Sequence, residues 1–186
     1  MKIVVLASFR TGSTALSDLF SKIYKCENFR EFFNTKYDNN FHDFPLTEKS
    51  WVIKIMADQI IEPYFSNIIA NSDKIYGIYR KDVIAQIASF LIANKTNQFH
   101  FDKKQPKLFN VIQYTDFELE RYIQFIQQSN QQYNLLLKPL CSVEYAYEDC
   151  KNFLKLSTFR ESDRPFNYQD IIESIRKYLD SQFDII

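Results

Sequence analysis

The chain has 186 residues, room for one domain with a real core and too few for two ordinary ones. Its 23 lysines and arginines balance 23 aspartates and glutamates, so no net basic field argues for nucleic-acid binding, and any positive site must be local. No stretch approaches the roughly 20 apolar residues that span a bilayer, and three cysteines (Cys26, Cys141 and Cys150) with no C-x-x-C pair fit a reducing compartment and buried packing.

Ile3 to Ala7 is an uninterrupted apolar run with β-branched residues, the composition of a strand covered on both faces. It is too short for a signal-peptide core, so a soluble, cytoplasmic protein is expected. Polar residues from Ser8 to Thr14 follow, then Leu16, Leu19, Phe20 and Ile23 at helical spacing, which predicts a helix over Ser13 to Lys25. Glu27 to Phe33 leads into an Asn- and Asp-rich loop, Asn34 to Pro45. Trp51 to Met56 reads as a second strand, Pro63 to Ala70 as a short helix and Lys74 to Tyr79 as a third strand. After Arg80-Lys81-Asp82, the residues Ile84, Ile87, Ala88, Leu91 and Ile92 mark an amphipathic helix.

Thr96 to Gln113 is a polar connection, and Asp116 to Lys138 is the longest expected helix, with Leu119, Tyr122, Ile123, Ile126 and Tyr133 on its apolar side. Cys141 to Tyr145 is a short fourth strand, Tyr147 to Leu156 is helical, and Tyr168 to Ser181 closes the chain as a helix after a basic loop. No repeat, low-complexity tract or linker interrupts the chain, so residues 1–186 are expected to form a single domain. Strands separated by helices imply right-handed crossovers, a parallel sheet covered on both faces, and ligands at the carboxyl ends of the strands.

The run strand, tight polar turn, helix at residues 3–23 aims the free N–H groups of a first helical turn, and its positive dipole end, past the strand end. An anion is the natural occupant. Gly12 allows close backbone approach, Ser13 and Thr14 can cap the helix or offer hydroxyls, and Arg10 adds charge. The plain alternative is a well-capped first helix with no ligand. A nucleotide kinase loop, G-x-x-x-x-G-K-[ST], is disfavoured because no lysine follows Gly12. Lys54 lies inside an otherwise apolar strand, where an ammonium is costly to bury unless it is paired or faces a ligand cleft; an edge-strand lysine facing water is the alternative.

Phe9-Arg-Thr-Gly-Ser-Thr-Ala-Leu16 directly after an N-terminal strand resembles the 5′-phosphosulfate-binding loop of sulfotransferases that use 3′-phosphoadenosine 5′-phosphosulfate (PAPS). Three later stretches, at residues 29–33, 51–59 and 79–89, fit the same template in order. The resemblance implies a three-layer α/β fold like that of P-loop NTPases, with the phosphosulfate on Arg10, Thr11, Gly12, Ser13 and Thr14 and PAP (adenosine 3′,5′-bisphosphate) as product. It places the 3′-phosphate on Arg80 and Ser89; the family's usual register sets Lys81 opposite Ser89, so Lys81 stands close behind Arg80. Two helix openings, near Gly12 and Asp82, would share the nucleotide. Lys54 and Arg10 would offset charge on the leaving group, and Arg160 and Arg164, in the loop from Leu156 to Arg164, would fold over the nucleotide.

Asn28-Phe-Arg-Glu-Phe-Phe33 is similar to the Pro-Glu-Glu-Tyr/Phe-Phe stretch of the bacterial trehalose 2-sulfotransferase branch, which maps the catalytic base onto Glu31, with Glu27 a competitor. His42 is a weaker candidate, and His100 reads as a surface residue. Val143 to Asp149 is similar to the strand and Tyr-Glu-Asp found in many sulfotransferases, with a structural role. No metal is implied. The acceptor is a hydroxyl on a glycan, lipid or small metabolite, its pocket shaped by Asn34–Pro45 and Thr96–Gln113, and the oligomeric state is left open. The competing readings are a small nucleotide kinase and a nucleotide-binding module without turnover.

Overall fold

A computed structural model describes residues 1–34, 44–97, 111–150 and 164–183. The chain divides into two compact units, one of residues 1–81 and 128–156, the other of residues 82–127 and 157–186.

The first unit is built on an all-parallel sheet of five strands: β1 (Lys2–Ala7), β2 (Glu27–Asn28), β3 (Trp51–Met56), β4 (Lys74–Tyr79) and β5 (Val143–Ala146), in the order β2-β3-β1-β4-β5. The apolar runs become strands buried on both faces, as parallel pairing requires. On one face Ile3, Val5, Ala7, Val52, Met56, Tyr76 and Ile78 pack against Leu16 and Phe20 of helix α1 (Ser13–Tyr24). On the other face Val4, Leu6, Ile53 and Ile55 meet Phe65 and Ile68 of helix α2 (Tyr64–Ala70), together with Tyr133 and Leu137.

The connections from β1 through α1 and from β3 through α2 thus lie on opposite faces and run in opposite directions across the sheet. The order reverses between β1 and β4, the place beyond whose carboxyl ends ligands bind in sheets of this kind. Of the first unit's strands, β2 is the one the sequence did not announce. Two residues carry no periodicity, and Glu27 and Asn28 are a strand only because they pair with Trp51 and Val52.

The aromatic excess is spent largely on packing. Phe29, Phe32, Phe33, Phe44 and Trp51 form a chain of mostly edge-to-face contacts, with Phe44 and Trp51 centroids 5.3 Å apart. Gly77 in β4 is required by close approach: a Cβ there would lie 2.3 Å from Tyr133 Oη and 2.8 Å from Cys141 Sγ. Tyr133 in turn donates to Glu144 Oε1 at 2.8 Å. Cys26 and Cys150 are buried in the α1-side core and Cys141 is partly buried; all three thiols are free, and burial pushes each above the usual range.

The second unit contains helices α3 (Val83–Thr96) and α6 (Tyr168–Phe183), which pack together, and most of α4 (Asp116–Gln132). Phe90 of α3 stacks on Phe125 of α4 at 4.8 Å, and Asn167 brackets Ile112 by bonding both its N–H and its carbonyl at 2.9 Å. The expected amphipathic pattern of α3 is too simple: Gln86, Phe90 and Ala93 are buried along with Ile87, Ala88, Leu91 and Ile92.

The expected long helix to Lys138 ends at Gln132. A π-helical turn, Tyr133–Leu137, and a 3-10 turn, Lys138–Leu140, follow, because Pro139 cannot continue the helix and Tyr133 and Leu137 are drawn onto the sheet. Helix α5 is described over Tyr147–Cys150; the remainder of the helix expected to Leu156 lies outside the described residues.

Candidate functional site

At the carboxyl end of β1 the chain turns through Ser8 to Gly12, with Arg10 at φ 59 and Gly12 at φ 80, both left-handed. Gly12 supplies the N-cap of α1 without a side chain, so no side-chain oxygen closes that helix opening, and its first turn carries no acidic residue. Helix α3 is the contrast: Asp82 is its N-cap and accepts a bond from Ala85 N–H at 2.9 Å, so a carboxylate already sits where an anion would. The first helix therefore lacks the side-chain cap that closes the third.

The loop hydroxyls are committed inward. Thr11, fully buried, donates to the Ser8 carbonyl at 3.0 Å; the Ser13 hydroxyl lies 3.8 Å from Met56 Sδ; Thr14 Oγ1 accepts from Lys54 Nζ at 2.7 Å. Neither Ser13 nor Thr14 caps α1, so backbone N–H groups are what the opening offers.

Lys54 stands on the α1 side of β3, between Val52 and Met56 and paired in register with Val5. Its side chain is 4% exposed, and the edge-strand alternative is thereby excluded. The ammonium is ion-paired with Glu31 Oε1 while it donates to Thr14. The backbone arranges this pairing. Past β2, Phe29 N–H bonds the Val52 carbonyl and the Arg30 carbonyl accepts from Lys54 N–H at 2.8 Å; Arg30 then turns at φ 49. Glu31 follows next to the lysine.

Its second oxygen is held by Asn34 Nδ2 at 2.8 Å and Gln59 Nε2 at 3.2 Å. Burial works to raise the Glu31 pKa, but the Lys54 charge and the three hydrogen bonds outweigh it, and the carboxyl sits below the ordinary range. Burial also lowers Lys54, and Glu31 only partly offsets this. At neutral pH Glu31 is an anion and an acceptor. Gln59 and Asn34 were not singled out in the sequence, because nothing in the local pattern marks them; Gln59 is recognisable only by its burial in the fold.

A second cluster lies at the ends of β1 and β4, across the reversal of strand order. Arg80 Nη1 reaches the Arg10 carbonyl at 3.4 Å, and its guanidinium lies over the Tyr147 ring at 4.8 Å. Burial, with the nearby charge of Arg80, brings Arg10 down to about 10, leaving it a cation at neutral pH. Two like charges near enough to act on one another favour an anion beside them.

The Tyr147-Glu148-Asp149 segment, expected to be only structural, supplies counter-charges. Glu148 lies 3.6 Å from Arg80 Nε and accepts from Lys81 N–H at 3.0 Å, and Asp149 takes the Lys81 ammonium at 2.8 Å. The Lys81 side chain is exposed and committed to Asp149, whereas Arg80 is turned inward.

Of the remaining residues, Ser89 lies on α3 in the second unit, and Arg164, over the Tyr168 ring at 4.5 Å, also belongs to that unit. Arg160, His42 and His100 lie outside the described residues, as do most of the two segments expected to shape an acceptor pocket. Glu27 is exposed. An open hollow of about 600 Å³ in the second unit is lined by Lys95, Tyr114, Glu118 and Asn167 among others; Ile112 and Gln113, the end of one segment expected to shape an acceptor pocket, line it too, but none of the expected catalytic or cofactor-binding residues does. Among the described residues no cluster of His, Cys, Asp and Glu could hold a metal, and no helix is long and apolar enough to cross a membrane.

Taken with the fold, these features define an α/β protein with a five-stranded parallel sheet and a polar cluster at the sheet's carboxyl edge. No protein-family model matches the chain, and no curated protein is significantly similar to it.

Proposed function

We propose that the protein is a PAPS-dependent sulfotransferase with a three-layer, P-loop-like arrangement, moving a sulfuryl group to a hydroxyl on a glycan, lipid or small metabolite. The observation that carries this reading is the Lys54 ammonium, bound at once to Thr14 in the opening of α1 and to Glu31. Three of the four stretches that resemble sulfotransferases meet at that one atom. The fourth contributes Arg80, bonded to the Arg10 carbonyl beside the same opening.

In this reading the N–H groups of Thr11 to Thr14 hold the 5′-phosphosulfate. Arg80 takes the 3′-phosphate in competition with Glu148. Glu31 accepts the proton of the acceptor hydroxyl as its oxygen forms the new bond to sulfur. Lys54 and Arg10 face the negative charge left on the 5′-phosphate as the old sulfur–oxygen bond breaks. The loop supports sulfuryl over phosphoryl chemistry because it lacks the lysine that a kinase places on the transferring phosphates.

The first test is thermal unfolding with PAP, where saturation at about 100 times Kd adds roughly 2.7 kcal/mol and raises Tm by about 5–10 °C. A screen of hydroxyl acceptors with labelled PAPS follows. Glu31→Ala is expected to cut transfer by at least about 10²-fold while PAP still binds; full transfer rate in that variant removes Glu31 from the mechanism. Binding of ATP that requires Mg²⁺ would point to a kinase, and PAP binding with no transfer to any acceptor to a module without turnover.

A further inference from the structure

We propose that the base is locked until the donor arrives: an anion entering the α1 opening draws the Lys54 ammonium off Glu31 and thereby frees the carboxylate to take a proton. This rests on the sulfotransferase reading and adds an order of events to it.

An ammonium has three hydrogens to donate, and the structure commits two of them, to Glu31 and to Thr14 Oγ1 at 2.7 Å. Thr14 is the second residue of α1, whose opening has no side-chain cap, so the ammonium is one hydrogen bond away from the place where an anion would bind. An anion there competes with Glu31 for the same charge. A small swing of a flexible four-carbon stem completes the exchange.

Two features make the exchange productive. Glu31 does not depend on Lys54 for its position, because Asn34 and Gln59 hold its other oxygen, and Gln59 is itself 6% exposed and accepts from Met56 N–H at 3.3 Å. When the ammonium leaves, the carboxylate stays in place and loses its strongest acidifying neighbour. The charged groups facing the pair are Asp18 on α1 and Arg30 on the turn after β2. Neither replaces Lys54: Asp18 is occupied by Asn28 Nδ2 at 2.7 Å, and the Arg30 side chain is 67% exposed. The donor should therefore bind before the acceptor hydroxyl can be activated.

The test is a carboxyl ¹³C NMR titration of Glu31 in the full-length protein, assigned with Glu31→Gln, with and without saturating PAP. PAP binding is followed in parallel by calorimetry. The Glu31 midpoint is expected to lie below the ordinary range in the free protein and to rise by about one pH unit or more with PAP, the size of effect a contacting opposite charge confers. In Lys54→Met the midpoint is expected to be raised already and to be indifferent to PAP. PAP that binds while the wild-type midpoint stays put overturns this inference and leaves the cofactor reading standing. PAP that does not bind at all overturns the cofactor reading, and the inference falls with it.

Discussion

Removing Glu31 should expose how much of the first unit's stability rests on one buried charge pair. The Lys54 and Glu31 side chains are 4% and 19% exposed, and the lysine's remaining partner is a neutral hydroxyl. Breaking such a pair from one side costs about 3–5 kcal/mol, because a charge is left in the interior. The lower end is expected here, since an abandoned ammonium can shed its proton.

Lys54→Met is the milder change, about 1–2 kcal/mol, because Glu31 keeps Asn34 and Gln59, some solvent contact, and a Met that fills the stem's volume. The double variant should then cost less than the sum of the singles by at least about 1.5 kcal/mol, within the range for groups in direct contact. Urea unfolding at pH 7, with the slope unchanged across the set, measures all four corners. Single costs that simply add, to within about 0.5 kcal/mol, would refute the claim that these two groups hold each other.

The same pair sets a pH dependence. Glu31 has a folded pKa below its unfolded value, so its contribution is complete above the ordinary carboxylate pKa and is lost as pH falls through the folded value. The acid limb of a stability curve should accordingly be shallower in Glu31→Gln, as seen by Tm against pH. Gly77→Ala should destabilise by about 1–3 kcal/mol in urea, because the new methyl meets Tyr133 Oη and Cys141 Sγ; Tyr133→Phe should relieve part of that cost, and no relief would place the clash elsewhere. Asp82→Ala should cost about 1 kcal/mol through loss of the α3 cap, and Gly12→Ala a similar amount through a left-handed φ of 80 rather than a lost hydrogen bond. Sulfate should recover part of the Asp82→Ala loss, by occupying the α3 terminus that the carboxylate vacates, and should add stability to wild-type protein at the α1 terminus, both read as Tm shifts.

The strands β1, β3 and β4 and the helices α1, α2 and α6 were legible to within two residues, because each carries its own signal over five or more positions: apolar runs, or a 3.6-residue recurrence. The polar turn after β1 and the anomalous Lys54 were legible for the same reason, as local departures from a local pattern. What neighbours in space contribute leaves no such trace. Glu27 and Asn28 are a strand because Trp51 and Val52 lie beside them, and Glu148 and Asp149 neutralise Arg80 and Lys81 across more than sixty positions of chain.

The two helix openings looked alike in sequence and differ in the molecule. A glycine caps one and leaves its N–H groups open, while an aspartate folds back onto the other. A chain of amino acids specifies where charge and hydrogen-bonding capacity occur along its length. Which charges are paired, and so which remain for a ligand, is decided by distances between residues that only the packed sheet brings together.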